Sequence, residues 1–223
     1  IDETYHGAGA GARYVSGISS GGWSSLWLQV EYPADFAGVW SFVPDPVDFR
    51  DFQQVNLYQD GINIFRDEDG MPRPLARQNG EPILFTEDFV AAEQVYGPGG
   101  QIRSFEAVFS PKGADGLPLR LFDPATGAVI ASTVEAWKPY DINLKLQDEW
   151  ADIGPDLAGK IHIYAGGEDT FYLEGAVELL AVTLDELGSD AHVEIVPGLP
   201  HAPKPGIAAD MLEQISGVDL DTD

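Results

Sequence analysis

The chain contains no cysteine among its 223 residues. This absence excludes disulfide bonds, thiolate catalysis and cysteine-ligated metal sites. It leaves the cellular compartment open, because a protein without cysteine is compatible with both reducing and oxidising surroundings. Both export and a cytoplasmic location therefore fit the sequence.

Basic residues are scarce, with 12 Lys and Arg against 37 Asp and Glu, so the formal net charge is -25. This balance argues against a nucleic-acid partner, because binding a phosphate backbone needs clustered Lys and Arg. It also disfavours binding to anionic membrane surfaces. The simple interpretation of this charge is solubility, because an acidic surface keeps a protein dispersed. The alternative is a salty habitat, where salt screens the self-repulsion.

Long apolar runs are also missing, since no segment approaches the roughly 18 residues of a membrane-spanning helix. No basic segment followed by an apolar one opens the chain, so no signal peptide is visible. The 44% hydrophobic and 11% aromatic content is typical of a globular protein. We expect one domain over residues 1–223.

Strand and helix patterns alternate at both ends of the chain, which predicts an α/β fold with a mostly parallel sheet and flanking helices. In the predicted helix 20–32, Trp23, Trp27 and Val30 recur on one face, as in a buried helix. A further helix is predicted at 171–187, with Gly188 as its C-terminal cap. The predicted strands are 13–16, 38–43, 160–165 and 192–196, and a last helix carries Ile207, Met211, Leu212 and Ile215.

The middle of the chain, residues 50–155, is interrupted by Gly and Pro and has no regular alternation. A hairpin is predicted from 119–122 to 128–130 around a turn at 123–127. We interpret 50–155, hereafter the insertion, as an irregular cap over a site. The alternative is a surface excursion without a role.

The pentapeptide Gly17-Ile18-Ser19-Ser20-Gly21 fits the G-x-S-x-G nucleophile elbow, and it lies between a predicted strand and a predicted helix as that elbow requires. The sharp turn exposes the serine hydroxyl and leaves little room for flanking side chains. The following helix directs its N-terminal N–H groups toward developing negative charge. Ser19 is therefore the candidate nucleophile, and the Ser20 N–H is a candidate oxyanion donor.

A reactive serine needs a base and a carboxylate that orients the base. In this fold the chain order is Ser, acid, His, and Asp169 and His201 follow two predicted strands in that order. Glu168 is an alternative acid. His162 and His192 lie inside strands, which is more typical of packed or surface histidines, and His6 precedes the elbow and fits poorly as the base.

Asp45 and Asp48 follow the predicted strand 38–43. They either shape the pocket or pair structurally with Arg50, and the second interpretation is favoured. The segment 67–70 is similar to a calcium loop, but Phe65 and Ala76 stand where that loop needs carboxylates. A solvated turn is the better interpretation, and no metal or organic cofactor is expected.

Segments 14–52, 167–173 and 197–201 resemble the esterase D-like and enterochelin esterase-like group of α/β-hydrolases, to which the mycolyltransferases are related. The resemblance implies that Ser19 is the nucleophile, His201 the general base and Asp169 the orienting acid. The elbow arrives at residue 19, so the early strands of that group, and the loop that supplies a second oxyanion N–H, have no counterpart. The expected fold is thus an N-terminally truncated α/β-hydrolase.

Two expectations follow from this resemblance. The strand near Val15 would lack one neighbour, so it should pair with a second copy of the chain or with a strand of the insertion. The leading function is hydrolysis of a small-molecule ester. The alternatives are a serine peptidase or acyltransferase on the same scaffold, or an inactive hydrolase fragment that acts as a binding or structural module.

Overall fold

A computed structural model describes residue 4, residues 7–97 and residues 99–216. His6 and the acidic tail 219–223, for which surface exposure and fraying are predicted, lie outside the described residues. Within the described part, no helix has both the length and the apolar character needed to cross a bilayer.

The main sheet has four parallel strands in the order β1-β2-β5-β6. Helix α1 (Ser20–Glu31) connects the first two strands, and α6 (Glu174–Glu186) connects the last two. This arrangement confirms the predicted α/β class with a mostly parallel sheet. The strands are β1 (Tyr14–Ile18), β2 (Gly38–Phe42), β5 (Ile161–Gly166) and β6 (His192–Val196).

The core forms where α1 packs on this sheet. Trp23 and Val30 are buried, and Trp23 stacks on Trp27 with 5.4 Å between ring centroids, as expected for a core face. Every residue of β2 is buried, which is typical of an inner strand of a parallel sheet. Helix α5 (Ile142–Leu157) packs against both α1 and α6.

The insertion is more regular than its sequence suggests. Its described residues contain an antiparallel hairpin and three α-helices before α5. The hairpin turns at Asn79 and Gly80, whose φ angles are 53° and 81°. Asn-Gly is the preferred pair for such a turn, so this dipeptide indicates a hairpin that is absent from the elements predicted above. The elements are β3 (Pro74–Gln78), β4 (Glu81–Phe85), α2 (Thr86–Tyr96), α3 (Gln101–Phe109) and α4 (Ala131–Trp137).

The hairpin-like stretch predicted at 119–130 is present in a short form, because one antiparallel bridge joins Phe122 to Val129. The predicted turn exists, because Gly127 N–H donates to the Asp123 carbonyl oxygen. Beyond the turn, the Asp123 N–H donates to the Ala128 carbonyl oxygen and the Ile130 N–H donates to the Leu121 carbonyl oxygen. The Val129 N–H faces away from this pairing and donates to the Ile62 carbonyl oxygen.

The helix predicted from residue 171 begins only at Glu174, because Tyr172 adopts a φ of 59° that a helix does not allow. Its predicted end is confirmed: Gly188 has a φ of 69°, as expected of a C-terminal cap. The last helix is α7 (Ile207–Ser216).

Strand β1 lies at one edge of the sheet. Among the described residues neither strand of the insertion pairs with it, because β3 and β4 pair with each other. Tyr14 and Ile18 on β1 are exposed. Pairing of this edge with a second copy stays a prediction: small-angle scattering should show a dimer, and a monomer at all concentrations would contradict it.

Candidate active site

One polar side chain follows each strand of the parallel sheet, at its carboxyl end. Ser19 follows β1, Asp45 follows β2, Asp169 follows β5 and His201 follows β6. The carboxyl ends of parallel strands meet at one edge, which is where open α/β sheets build their sites. Ser19, Asp169 and His201 are the residues that the sequence predicts for the site, whereas the sequence favours a structural role for Asp45.

Ser19 occupies the sharp turn between β1 and α1. Its φ of 58° and ψ of -122° are strained for a residue other than glycine. The Ser19 N–H donates to the Phe42 carbonyl oxygen at 3.0 Å, which ties the turn to the end of β2. Strain of this kind persists when the surroundings fix it, and here it presents the side chain above the sheet edge.

The tight turn needs glycine at positions 17 and 22. A Cβ on Gly17 would stand 2.1 Å from the Gly21 carbonyl oxygen, and one on Gly22 would stand 2.8 Å from the Phe42 carbonyl oxygen. A Cβ on Gly21 would meet nothing within 4 Å. The crowding predicted at both motif glycines therefore holds for Gly17 and not for Gly21.

Replacing Gly17 with alanine should destabilise the protein by about 1–3 kcal/mol, because the new methyl group collides with backbone that cannot move aside cheaply. Gly21→Ala is the matched control. It adds the same methyl group into open space inside a helix, where alanine is favoured over glycine. Urea unfolding of both variants measures the difference, and equal losses would contradict the crowding.

Asp169 and His201 form a direct pair, with 2.7 Å between His201 Nδ1 and Asp169 Oδ2. Asp169 is fully buried, and its other oxygen accepts the Phe171 N–H at 2.8 Å. A histidine that donates Nδ1–H to a carboxylate has Nε2 free to accept a proton. Glu168 is exposed, so the structure pairs the histidine with Asp169 instead of its neighbour.

The loops that carry this pair are fixed against each other. Glu168 N–H donates to the Leu199 carbonyl oxygen at 3.0 Å. A Cβ on Gly166 would stand 2.2 Å from the same oxygen, so only glycine permits this approach. The insertion adds a clamp, because Arg77 of β3 donates from Nε to the Asp169 carbonyl oxygen at 3.0 Å and pairs with Glu174.

The Ser19 hydroxyl donates to Asp45 Oδ1 at 3.3 Å, and no hydrogen bond joins it to His201 within the described part of the chain. Hydrogen bonds between a nucleophile and its base are often long or misaligned in unliganded enzymes and tighten when substrate binds. Ser19 and His201 nevertheless follow strands of one parallel sheet, β1 and β6, at the same carboxyl edge.

Asp45 is bound to the elbow. Ser20 Oγ donates to Asp45 Oδ2 at 2.6 Å, and the Asp45 N–H donates to the Ser19 carbonyl oxygen at 3.2 Å. Asp48 is the residue that pairs with Arg50, at 2.6 Å, so the favoured interpretation applies to Asp48 and is wrong for Asp45. The position of Asp45 after β2, the neighbour of the elbow strand β1, is the feature of the sequence that could have placed it in the site.

Ser20 is the first residue of α1, so its N–H has no acceptor within the helix. The helix N-terminus carries partial positive charge, which stabilises an anion there. This geometry is that expected of an oxyanion donor beside Ser19.

A cavity of about 250 Å³ adjoins Ser19 and Asp45. Most of its wall comes from the insertion and from the loop after β5, and it is mainly apolar. The polar insertion side chains on its wall are Gln53 and Gln101. The apolar lining consists of Leu75, Leu84, Phe89, Ile102, Phe105, Phe171 and Leu173.

The parallel sheet, the elbow at the end of β1 and the loops after β5 and β6 define an α/β-hydrolase-type fold, and one solved structure shares it. A ferulic acid esterase aligns with a TM-score of 0.50 and 11% identity, over 97% of this chain and 55% of its own. This chain thus spans about half the length of that esterase. No protein-family model and no curated protein matches the sequence.

Two other solved structures align less well. Dipeptidyl peptidase 4 of Porphyromonas gingivalis has a TM-score of 0.46 and 11% identity, over 93% of this chain and 19% of its own. Feruloyl esterase B from Aspergillus oryzae has a TM-score of 0.37 and 16% identity, over 92% of this chain and 59% of its own.

Proposed function

We propose that this chain is a serine hydrolase that cleaves carboxylic esters through an acyl-enzyme on Ser19. His201 acts as the general base, Asp169 orients it, and the Ser20 N–H stabilises the oxyanion. The observation that carries the proposal is the pair of His201 with the buried Asp169, 2.7 Å apart, at the same sheet edge as a serine held in a strained elbow.

The proposed reaction uses only groups that these residues supply. His201 Nε2 takes the proton of Ser19 as Oγ attacks the acyl carbon, and it then returns that proton to the departing alcohol. A water molecule that gives its proton to His201 then attacks the acyl-enzyme, which releases the acid and regenerates Ser19. The resemblance to the esterase D-like and enterochelin esterase-like group, and the fold shared with a ferulic acid esterase, support an ester as the substrate.

The cavity beside Ser19 favours an apolar group on the substrate. Phe89, Phe105 and Phe171 supply flat surfaces that contact aromatic or aliphatic carbon well. A volume of about 250 Å³ suits a small acyl or alcohol group instead of a polymer chain. Residues 50–155 would then act as the cap that the sequence predicts.

The test is turnover of matched ester and anilide substrates that carry the same aromatic acyl group. We expect hydrolysis of the ester, slower or no hydrolysis of the anilide, and covalent labelling of Ser19 by a fluorophosphonate. Faster anilide turnover would favour a peptidase. Folded protein that neither turns over the ester nor reacts with the probe would contradict the proposal.

A further inference from the structure

An acidic side chain beside the nucleophile is unusual for ester hydrolysis, and Asp45 occupies that position. When Ser19 attacks a carbonyl, negative charge develops on the acyl oxygen. An ionised Asp45, with Oδ1 at 3.3 Å from Ser19 Oγ, would repel that charge. The active form of the enzyme must therefore remove either the residue or its charge from the site.

Asp45 has no freedom to swing away. Ser20 Oγ holds Oδ2 at 2.6 Å, its own N–H is bound to the Ser19 carbonyl oxygen, and the residue is only 6% exposed. Its charge is therefore the property that can change.

The surroundings of Asp45 offer little to balance a negative charge. The titratable groups that face it are His201, on the loop after β6, and Asp169, on the loop after β5. Among its described residues, the insertion contributes Gln53, Gln101 and apolar side chains, but no Lys or Arg, to the cavity that adjoins Ser19 and Asp45.

Burial is the largest influence on this carboxyl group, and it raises the pKa of Asp45 above the ordinary value of an aspartate. The negative charge of Asp169 raises the pKa further. The hydrogen bonds from Ser20 and Ser19 and the charge of His201 act in the opposite direction, but the net shift is upward. The neutral form is therefore favoured more than in an exposed aspartate.

We propose that Asp45 is a further catalytic residue, a neutral carboxylic acid that donates a hydrogen bond to the oxyanion formed at Ser19. The inference rests on the proposed ester hydrolysis and deepens it. Together with the Ser20 N–H, the Asp45 O–H supplies a second donor from the described part of the chain. A carboxyl group kept neutral by its surroundings is an established type of oxyanion donor.

In the proposed step the bond between Ser19 Oγ and the acyl carbon forms while the Ser19 proton moves to His201 Nε2. The π electrons of the carbonyl group move to its oxygen, where Asp45 and the Ser20 N–H stabilise them. On collapse the carbonyl re-forms, the bond to the alcohol oxygen breaks, and His201 protonates that oxygen. Asp45 keeps its own proton throughout.

The protonation state of Asp45 also decides which group accepts the hydrogen bond from the Ser19 hydroxyl. An ionised carboxylate only accepts hydrogen bonds, so it holds the Ser19 hydroxyl toward itself. A neutral Asp45 can donate to Ser19 Oγ instead, which frees the Ser19 proton for His201. Both effects favour catalysis when Asp45 is neutral and oppose it when Asp45 is ionised.

Two substitutions of Asp45 separate these roles. Asp45→Ala removes the donor, and we expect kcat for the ester to fall by about 10²–10³-fold. Asp45→Asn keeps an acceptor for Ser20 and a permanently neutral donor toward Ser19, so its loss should be at least tenfold smaller. Circular dichroism and thermal unfolding confirm that each variant is folded before its kinetics are compared.

The pH profile provides a readout that a merely structural role would not change. In the wild-type protein, kcat should fall on the alkaline side as Asp45 loses its proton. Asp45→Asn should lose this alkaline fall. An unchanged alkaline fall in Asp45→Asn, or wild-type kcat in Asp45→Ala, would overturn the proposal.

A ¹³C NMR titration of the aspartate carboxyl groups, with the Asp45 signal assigned by its loss in Asp45→Asn, tests the proposal without turnover. We expect Asp45 to be protonated over the pH range in which the ester is hydrolysed. If the wild-type protein hydrolyses the ester while Asp45 is ionised, this inference fails and the proposed function stands. If the wild-type protein is inactive and unlabelled by the fluorophosphonate, both fail.

Discussion

Ser19→Ala is expected to lower kcat for ester hydrolysis by about 10⁶-fold, the size of loss that follows removal of the nucleophile in a serine hydrolase. The variant keeps the cavity and the Asp169–His201 pair, so substrate binding should change little. Only the oxygen that forms the acyl-enzyme is removed. The measurement is single-substrate kinetics together with fluorophosphonate labelling, which should disappear.

Ser24→Ala is the matched control for this substitution. Ser24 lies one turn further along α1 and is exposed, and its hydroxyl bonds only to the Ser20 carbonyl oxygen within the described residues. We expect normal kcat and normal labelling. Retained labelling in Ser19→Ala would show that another residue reacts with the probe, and the assignment of Ser19 as the nucleophile would then be wrong.

Asp169→Asn has the second largest expected effect, a loss of about 10⁴-fold in kcat. The asparagine amide would donate to His201 Nδ1, so Nε2 would carry the ring proton and would be unable to accept the proton of Ser19. The amide oxygen can still accept the Phe171 N–H that Asp169 accepts now, so the loop should keep its conformation.

The adjacent carboxylate supplies the control. Glu168 is exposed, and its backbone N–H, not its side chain, bonds to the loop after β6. Glu168→Gln should therefore leave kcat unchanged, as surface substitutions generally do. The opposite result, a large loss in Glu168→Gln and none in Asp169→Asn, would show that the neighbouring acid orients His201.

The contacts between Arg77 of the insertion and the loop after β5 are hard to predict from the sequence. Arg77 contacts Asp169 and Glu174, which are more than ninety residues away along the chain. Nothing in the local pattern around Arg77 marks it, because its partners are created by the docking of β3 against the loop after β5. The insertion therefore has a positioning contact with the site besides forming the cavity wall.

The sequence by itself determined the elements with a strong local period and the turn with a strict steric requirement. The apolar face of α1, the buried strand β2 and the glycine after α6 are local features, and so is the narrow turn at Ser19. Chain order and strand ends were enough to select Asp169 and His201 as candidates, because parallel strands present their carboxyl ends at one edge.

Only the tertiary structure decided which polar groups meet at that edge. Asp45 and Asp48 are alike in local sequence, yet one bonds to Ser19 and Ser20 and the other to Arg50. Likewise, Glu168 is exposed while Asp169 is buried against His201. These outcomes depend on burial and on partners distant in the chain, which residue type and spacing do not specify. The position of Asp45 beside the nucleophile is the consequence that matters most for the chemistry of this site.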